Sequence, residues 1–217
     1  MNTTAAGPSR ESPGETSIRP PPAKQRPATA ALLKLRYITG TPWAFAVIFF
    51  AKPLSPWSWL GAALVAAGAA LRFWVGGYAA PENRSTAGGA EGFLTAGPYA
   101  WVRNPLHVGN VAVAVGLSLW AGGLLPWLPL ATAAFFVWQY SLIKRAEEEE
   151  TWRLSWEYRA YRATVPAWFP RFTPQPTRRT RRWRPALAFK NEFRTLVIII
   201  VIATASLLHA YLKAGVA

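Results

Sequence analysis

The chain has 217 residues, of which 52% are hydrophobic and 16% are charged. An average soluble chain carries about 25% charged residues, and here the apolar residues are gathered into long blocks. This pattern excludes an ordinary soluble domain and favours a membrane-embedded one. The absence of cysteine excludes disulfides and a thiolate nucleophile.

The basic residues suggest two classes of partner. The chain has 24 Lys and Arg against 10 acidic residues, a formal net charge of +14. Basic residues interleaved with aromatic ones are typical of nucleic-acid binding. The Arg clusters flank the apolar blocks, however, where attraction to anionic lipid and membrane topology explain them. We therefore predict membrane lipids as partners and no nucleic acid. The residues expected to contact anionic headgroups are Arg178, Arg179, Arg181, Arg182 and Arg184.

The N-terminal part divides into a tail and a first helix. Residues 1–29 are rich in Pro, Ser, Thr, Ala and Gly, which predicts a disordered tail before a membrane domain over residues 30–217. The first apolar run, residues 37–51, is short for a bilayer span of about 20 residues. Its helix should therefore begin within residues 30–36.

Residues 57–75 predict a second span, with tryptophans near both ends. Four small residues on it offer faces on which a neighbouring helix could pack closely. They are Gly61, Ala62, Ala66 and Ala70.

Residues 108–143 contain no charged residue and are too long for one span. Glycines and prolines interrupt them near the middle, which predicts a tight helical hairpin with arms of about 15 to 17 residues. On the first arm, Ala112 and Gly116 lie at a spacing that permits close helix contact. Residues 193–212 predict a final span. The expected fold is an all-α integral membrane protein with about five transmembrane helices.

The distribution of basic residues predicts which side each segment faces. By the positive-inside rule, the tail, the loop of residues 76–107 and the polar segment of residues 144–194 share the cytoplasmic side. Five spans then leave the C-terminus outside. The loop and the polar segment meet at one membrane face, because they lie at the two ends of the hairpin.

The loop ends in a polar motif, residues 97–109, which reads Gly-Pro-Tyr-Ala-Trp-Val-Arg-Asn-Pro-Leu-His-Val-Gly. Asn104 is a favourable N-cap and Pro105 fits the first helical position, so the free amides of the next turn should point back toward Arg103. An Arg at the positive end of a helix suits the carboxylate of a cofactor or a substrate. An Arg that snorkels to lipid headgroups explains the motif equally well.

Four consecutive glutamates, residues 147–150, continue the second hairpin helix out of the membrane. Together with Arg103 they could line a cavity suited to an amino-acid zwitterion. Glu147 and Glu150 lie on nearly the same helix face and are favoured for this role. The alternative is a solvated helix end whose glutamates pair with neighbouring Lys and Arg.

The order and spacing of these motifs resemble the isoprenylcysteine carboxyl methyltransferase and phospholipid methyltransferase superfamily. The resemblance covers residues 92–172 and rests on the polar motif, the Glu run, Tyr158, Tyr161, Val165, Pro166 and Pro170. It implies an integral membrane enzyme that uses S-adenosylmethionine and a lipophilic substrate that enters from the bilayer. It also implies a cytoplasmic cofactor pocket capped by the C-terminal polar segment.

Carried over by position, the resemblance implies one set of cofactor-binding residues. They are Tyr99, Arg103, Asn104, Pro105, Gly109, Glu147, Glu148, Glu150, Tyr158 and Tyr161. Two departures from the superfamily pattern lie within the polar motif. Asn104 stands where His is common in eukaryotic members, and His107 stands where Tyr is usual.

Methyl transfer asks little acid or base chemistry of a protein, because the sulfonium is already activated; the enzyme aligns the nucleophile and excludes water. Arg103 could position a carboxylate acceptor, whereas His107 or a Glu could take the proton of an amine acceptor. Arg103 and His107 are therefore the candidate catalytic residues. No metal site is predicted.

Two other functions remain open from the sequence. Membrane sterol and steroid reductases resemble this superfamily in their C-terminal halves and bind NADPH at a similar place; here residues 178–184 would be the candidate phosphate site. A non-catalytic membrane adaptor, with its Arg patch recruiting anionic lipid, is the other. Cofactor binding distinguishes the three functions.

Overall fold

The computed structural model describes residues 39–78, 94–122, 127–152, 156–176 and 182–216, without the side chains of residues 146–152, 156, 157 and 216. The helices are α1 (Thr39–Phe49), α2 (Pro56–Gly76), α3 (Pro105–Gly122), α4 (Trp127–Trp152), α5 (Trp156–Thr164) and α6 (Pro185–Val216). A short 3₁₀ turn, Gly97–Ala100, precedes α3. The predicted all-α class is confirmed. The predicted tail and the start of the first helix lie outside the described residues.

Three of the described helices are long and apolar enough to cross a membrane: α2, α3 and the greater part of α6. The predicted spans over residues 57–75 and 193–212 coincide with two of these helices, although α6 begins eight residues earlier, at Pro185. Helix α1 is apolar but short over its described residues. The total of five spans stays a prediction.

Local sequence explains where the helices begin. Ser55 precedes Pro56 at the start of α2, and the backbone N–H of Ser55 donates to Ser58 Oγ at 3.1 Å. Helix α3 begins at Pro105 and α6 at Pro185. Proline is favoured at these first helical positions because its missing N–H would have no partner within the helix.

Helices α2 and α3 pack along a seam of four glycines, Gly61 and Gly68 on α2 and Gly109 and Gly116 on α3. A Cβ on Gly61 would lie 2.6 Å from the carbonyl oxygen of Gly116, and one on Gly68 would lie 2.9 Å from that of Gly109. Backbone therefore meets backbone in this seam, an approach that a larger residue would prevent.

The seam corrects one prediction about packing. Ala66 and Ala70 are exposed rather than packed against α3, and Ala62 is half-buried. Helix α2 is apolar on nearly all sides, so its hydrophobic pattern does not indicate which small residues face a neighbour.

The described helices run between two ends of the molecule. We call the end with Gly97–Ala100 and the start of α3 the motif end, and the end with Lys52 and Ala121 the far end. At the motif end, α2 finishes beside the start of α6: Arg184 N–H donates to the carbonyl of Gly77 at 3.0 Å, and Asn191 Nδ2 donates to that of Gly76 at 2.8 Å. At the far end, Lys52 N–H donates to the carbonyl of Ala121 at 2.7 Å. The described parts of the loop and of the polar segment thus share one end.

Candidate functional site

The polar motif begins with a glycine in a left-handed conformation. Gly97 has a φ of 61°, and the ring of Tyr78 contacts the position where a Cβ would lie. Glycine accepts this conformation without strain. The chain then makes the 3₁₀ turn that leads to Arg103 and the start of α3.

Helix α3 begins at Pro105, the residue predicted for its first position. The carbonyl of Asn104 accepts the N–H groups of His107 at 3.0 Å and Val108 at 3.1 Å. Asn104 and Pro105 are both buried. Arg103 lies one residue before Asn104 and therefore beside the positive end of this helix.

Arg103 is held from the other side by the polar segment after α5. Its backbone N–H donates to the carbonyl of Pro166 at 2.8 Å. Two further backbone hydrogen bonds join the same two segments: Arg171 N–H donates to the carbonyl of Trp101, and Gln175 N–H donates to that of Ala100, each at 2.9 Å. We call residues 165–176 the cap segment, because they lie across the turn that precedes α3.

The two predicted tyrosines also contact the motif region. Tyr161 is buried, and its hydroxyl donates to the carbonyl of Tyr99 at 2.8 Å. Tyr158 is 1% exposed, with its ring centre 6.1 Å from that of Tyr161. The structure therefore brings Tyr99, Tyr158 and Tyr161 together at the same end as Arg103.

The guanidinium of Arg103 turns inward. Its Nε and Nη1 atoms are buried, although the residue as a whole is half-buried. A side chain that snorkels to headgroups would instead expose these atoms to the interface. The inward position favours a role inside the site.

His107 connects the motif to the hairpin. It is buried, and its ring centre lies 4.5 Å from that of Tyr140 on α4. The Tyr140 hydroxyl accepts a hydrogen bond from Asn110 Nδ2 at 3.2 Å. The cap segment reaches the same place, since Trp168 Nε1 donates to Ser141 Oγ at 3.1 Å.

The structure places Gly109 in the helix seam rather than in an open pocket. A Cβ there would lie 2.7 Å from Cγ of Arg72 and 3.1 Å from the carbonyl oxygen of Gly68. Close packing accounts for this glycine, and its role toward a cofactor stays a prediction.

The Glu run continues α4, as predicted, because the helix reaches Trp152. The side chains of Glu147, Glu148 and Glu150 lie outside the described residues. Glu147 follows Tyr140 by two helical turns, about 10 Å along the axis. The direction in which these glutamate side chains point stays a prediction.

A cavity of about 480 Å³ lies among helices α1, α2, α3, α4 and α6. Most of its wall is apolar, but polar side chains also line it. They are contributed by Thr41, Arg72, Asn110, Tyr140 and Thr195. Tyr140 lines this cavity and also packs against His107. The ring of Tyr140 is therefore the link between the cavity and the polar motif.

One side of the cavity wall holds an ion pair that the sequence analysis missed. Arg72 Nη2 lies 2.7 Å and Nε 2.9 Å from Glu192 Oε2, and Nη2 donates to Thr195 Oγ1 at 2.8 Å. Arg72 and Glu192 are buried, at 8% and 1% exposure. A lone Arg within an otherwise apolar span was the signal available in the sequence, since intramembrane charge is costly and marks function.

The comparison with known families gives one match, to part of the chain. Residues 56–154 match the model of the phospholipid methyltransferase family, part of the isoprenylcysteine carboxyl methyltransferase-like superfamily of membrane methyltransferases. The predicted resemblance is therefore confirmed. The match runs from α2 to just beyond α4, so it begins and ends earlier than the predicted region of residues 92–172. No curated protein and no solved structure matches the chain.

Proposed function

We propose that the protein transfers the methyl group of S-adenosylmethionine to a carboxylate or an amine on a lipophilic substrate. One observation carries this proposal: His107 of the polar motif packs on Tyr140, and Tyr140 lines the cavity among the helices. A polar cofactor site at the motif end and an apolar substrate site within the helices would thus share a wall. The family match supports methyl transfer as the reaction class.

The residues at the motif end fit this cofactor chemically. S-adenosylmethionine carries a carboxylate, an ammonium and an adenosine. Arg103 and the first amides of α3 are the donors for the carboxylate, because guanidinium and helix N-terminus both favour an anion. The Glu run supplies acceptors for the ammonium or the ribose hydroxyls. The bound cofactor supplies a methyl group already activated on a sulfonium.

The remaining residues would position the acceptor and exclude water. The cap segment covers the turn before α3 through its bonds to Ala100, Trp101 and Arg103. His107, which packs against Tyr140, would take the proton of an amine acceptor. With a carboxylate acceptor no proton is transferred, and the task of the chain is alignment.

Calorimetry on the purified full chain in a neutral detergent tests the proposal. We expect saturable binding of S-adenosylmethionine and of S-adenosylhomocysteine, each with an upward shift of the thermal unfolding midpoint. A response to NADPH without a response to either ligand would support a reductase instead. A response to none of the three would support an adaptor.

A further inference from the structure

The ion pair between Arg72 and Glu192 lies within the membrane-spanning part of the fold. Arg72 is four residues before the end of α2, about 6 Å along the helix axis. At 8% exposure it does not reach out to the interface; it reaches across to Glu192 and Thr195 on α6. A buried pair costs several kcal/mol of desolvation per ion, so fold stability alone is a weak reason for it.

The pair is asymmetric with respect to the cavity. Arg72 lines it, together with Thr195, whereas Glu192 is 1% exposed and is not among the described residues that line it. Arg72 is also the one residue with a formal charge in that described lining. A group inside the cavity therefore meets the cation, and its counter-ion sits behind it.

The surrounding polar groups have matching chemistry. Like Arg72, three polar residues line the cavity: Asn110 carries amide donors, and Tyr140 and Thr195 carry hydroxyls. Arg72 donates to Thr195, and Asn110 donates to Tyr140. The rest of the wall includes Phe45, Ile48 and Ile202, which suit a hydrocarbon chain. The lining of the cavity thus combines donors suited to an oxyanion with apolar side chains suited to a hydrocarbon chain.

From this arrangement we propose that Arg72 is a specificity-determining residue that binds the oxyanion headgroup, carboxylate or phosphate, of a single-chain lipid substrate. Glu192 is a positioning residue, because it holds the planar guanidinium by Nε and Nη2 and so fixes which donors face the cavity. The identification of the ligand as a substrate rests on the proposed function. The binding of the oxyanion lipid itself does not.

Equilibrium binding of labelled lipids to the full chain, in neutral detergent and without cofactor, tests the proposal. The probes are palmitate, hexadecyl phosphate and hexadecanol, which share a chain and differ in headgroup. We expect at least one of the two anions to bind about tenfold or more tightly than the alcohol, as for a hydrogen bond to a charged group. The tighter anion identifies the headgroup class. Equal binding of all three would overturn the proposal.

Variants separate recognition from a purely structural link between α2 and α6. Arg72→Gln should remove the preference for the anion about tenfold, while hexadecanol binding changes little. The exchange Arg72→Glu with Glu192→Arg keeps an ion pair but moves the cation to α6, so we expect thermal stability to recover and the anion preference not to. Recovery of both would show that the pair only links the helices.

Glu192→Gln should also weaken binding of the tighter anion, and Glu192→Asp should weaken it less, because a shortened carboxylate still holds the guanidinium in part. Arg194→Gln, at an exposed basic residue on the same helix, is the matched control and should bind as the wild type does. Calorimetry with S-adenosylmethionine runs in parallel. Anion preference without cofactor binding would overturn the proposed function and leave the oxyanion site intact.

Discussion

Arg103 is the residue whose surroundings argue most directly for a cofactor. It precedes the N-terminus of α3, its Nε and Nη1 atoms are buried, and its backbone is bound to the cap segment through Pro166. A carboxylate placed there would gain charge-assisted hydrogen bonds, which are about twice as strong as neutral ones. Snorkelling would not require a buried guanidinium.

We therefore expect Arg103→Ala to weaken S-adenosylmethionine binding by about 1.5 to 3 kcal/mol, the range for a hydrogen bond to a charged group. Arg103→Lys should recover only part of this loss, because an ammonium lacks the planar fork of the guanidinium. Calorimetry measures both. Arg182→Ala, at an exposed basic residue, is the control. Full recovery by Lys would indicate headgroup contact rather than cofactor binding.

The four glutamates require a comparison among themselves. Helix periodicity predicts that Glu147 and Glu150 share a face, with Glu148 and Glu149 on other faces. We expect Glu147→Gln and Glu150→Gln to reduce cofactor affinity more than the same change at the other two positions. Calorimetry on folded protein measures each one. Four equal, small losses would mean a solvated run of charge, and the Glu part of the site would be abandoned.

The sequence predicts features that depend on neighbouring residues, such as the start of a helix. Asn104 with Pro105 predicted the start of α3. The pair of Arg72 with Glu192 joins residues 120 positions apart. No local pattern indicates such a pair, because it depends on how α2 and α6 are rotated toward each other.

At the scale of helices, the glycine seam between α2 and α3 positions the site. Gly109 lets Arg72 approach α3, and Gly116 lets α2 pack at backbone distance. The seam therefore holds both the start of α3, where Arg103 lies, and the cavity wall that contains Arg72. A shift of α2 would move both.

Gly61→Ala and Gly116→Ala should each lower the free energy of unfolding by about 1 to 3 kcal/mol, the range for overpacking. A Cβ at Gly61 would lie 2.5 Å from the backbone nitrogen of Trp120, and a backbone atom cannot rotate away. Gly215→Ala is the control, since nothing lies within 4 Å of its Cβ position. Chemical denaturation in detergent measures all three. Equal stability of seam and control variants would contradict the close packing.

The hydrophobic pattern predicts which segments are helices in this fold, but not which of their residues pack in the seam. Length and hydropathy predicted α2, α3 and α6, because a bilayer requires long apolar runs. The same runs are apolar all round, so they contain no period that selects Gly68 over Ala66 as the packed residue. Small size alone predicted four candidates on α2, and Gly61 was the one of them found in the seam.

At the scale of the whole molecule, basic residues lie at both ends, with more of the described ones at the motif end. Lys52 and Lys213 line a cavity at the far end, whereas Arg103, Arg171 and Arg184 lie at the motif end. Basic residues are retained on the cytoplasmic side of a membrane, and this bias orients the whole chain. The motif end, and the candidate active site with it, should therefore face the cytoplasm.

Reporter insertions test this orientation together with the number of spans. A reporter in the loop of residues 79–93 should lie inside, and reporters in the connection of residues 123–126 or after residue 217 should lie outside. The reason is geometric, because α2 and α4 end at the motif end and α3 and α6 end at the far end. An inside reporter after residue 217, with the other two as expected, would mean that either α4 or α6 does not cross the bilayer. We would assign the missing crossing to α4, because α6 has the length and hydropathy of a span and α4 is not among the helices that do. The cap segment would then be separated from Arg103 by the membrane, which its hydrogen bond to that residue forbids. That result would overturn the site as well as the topology.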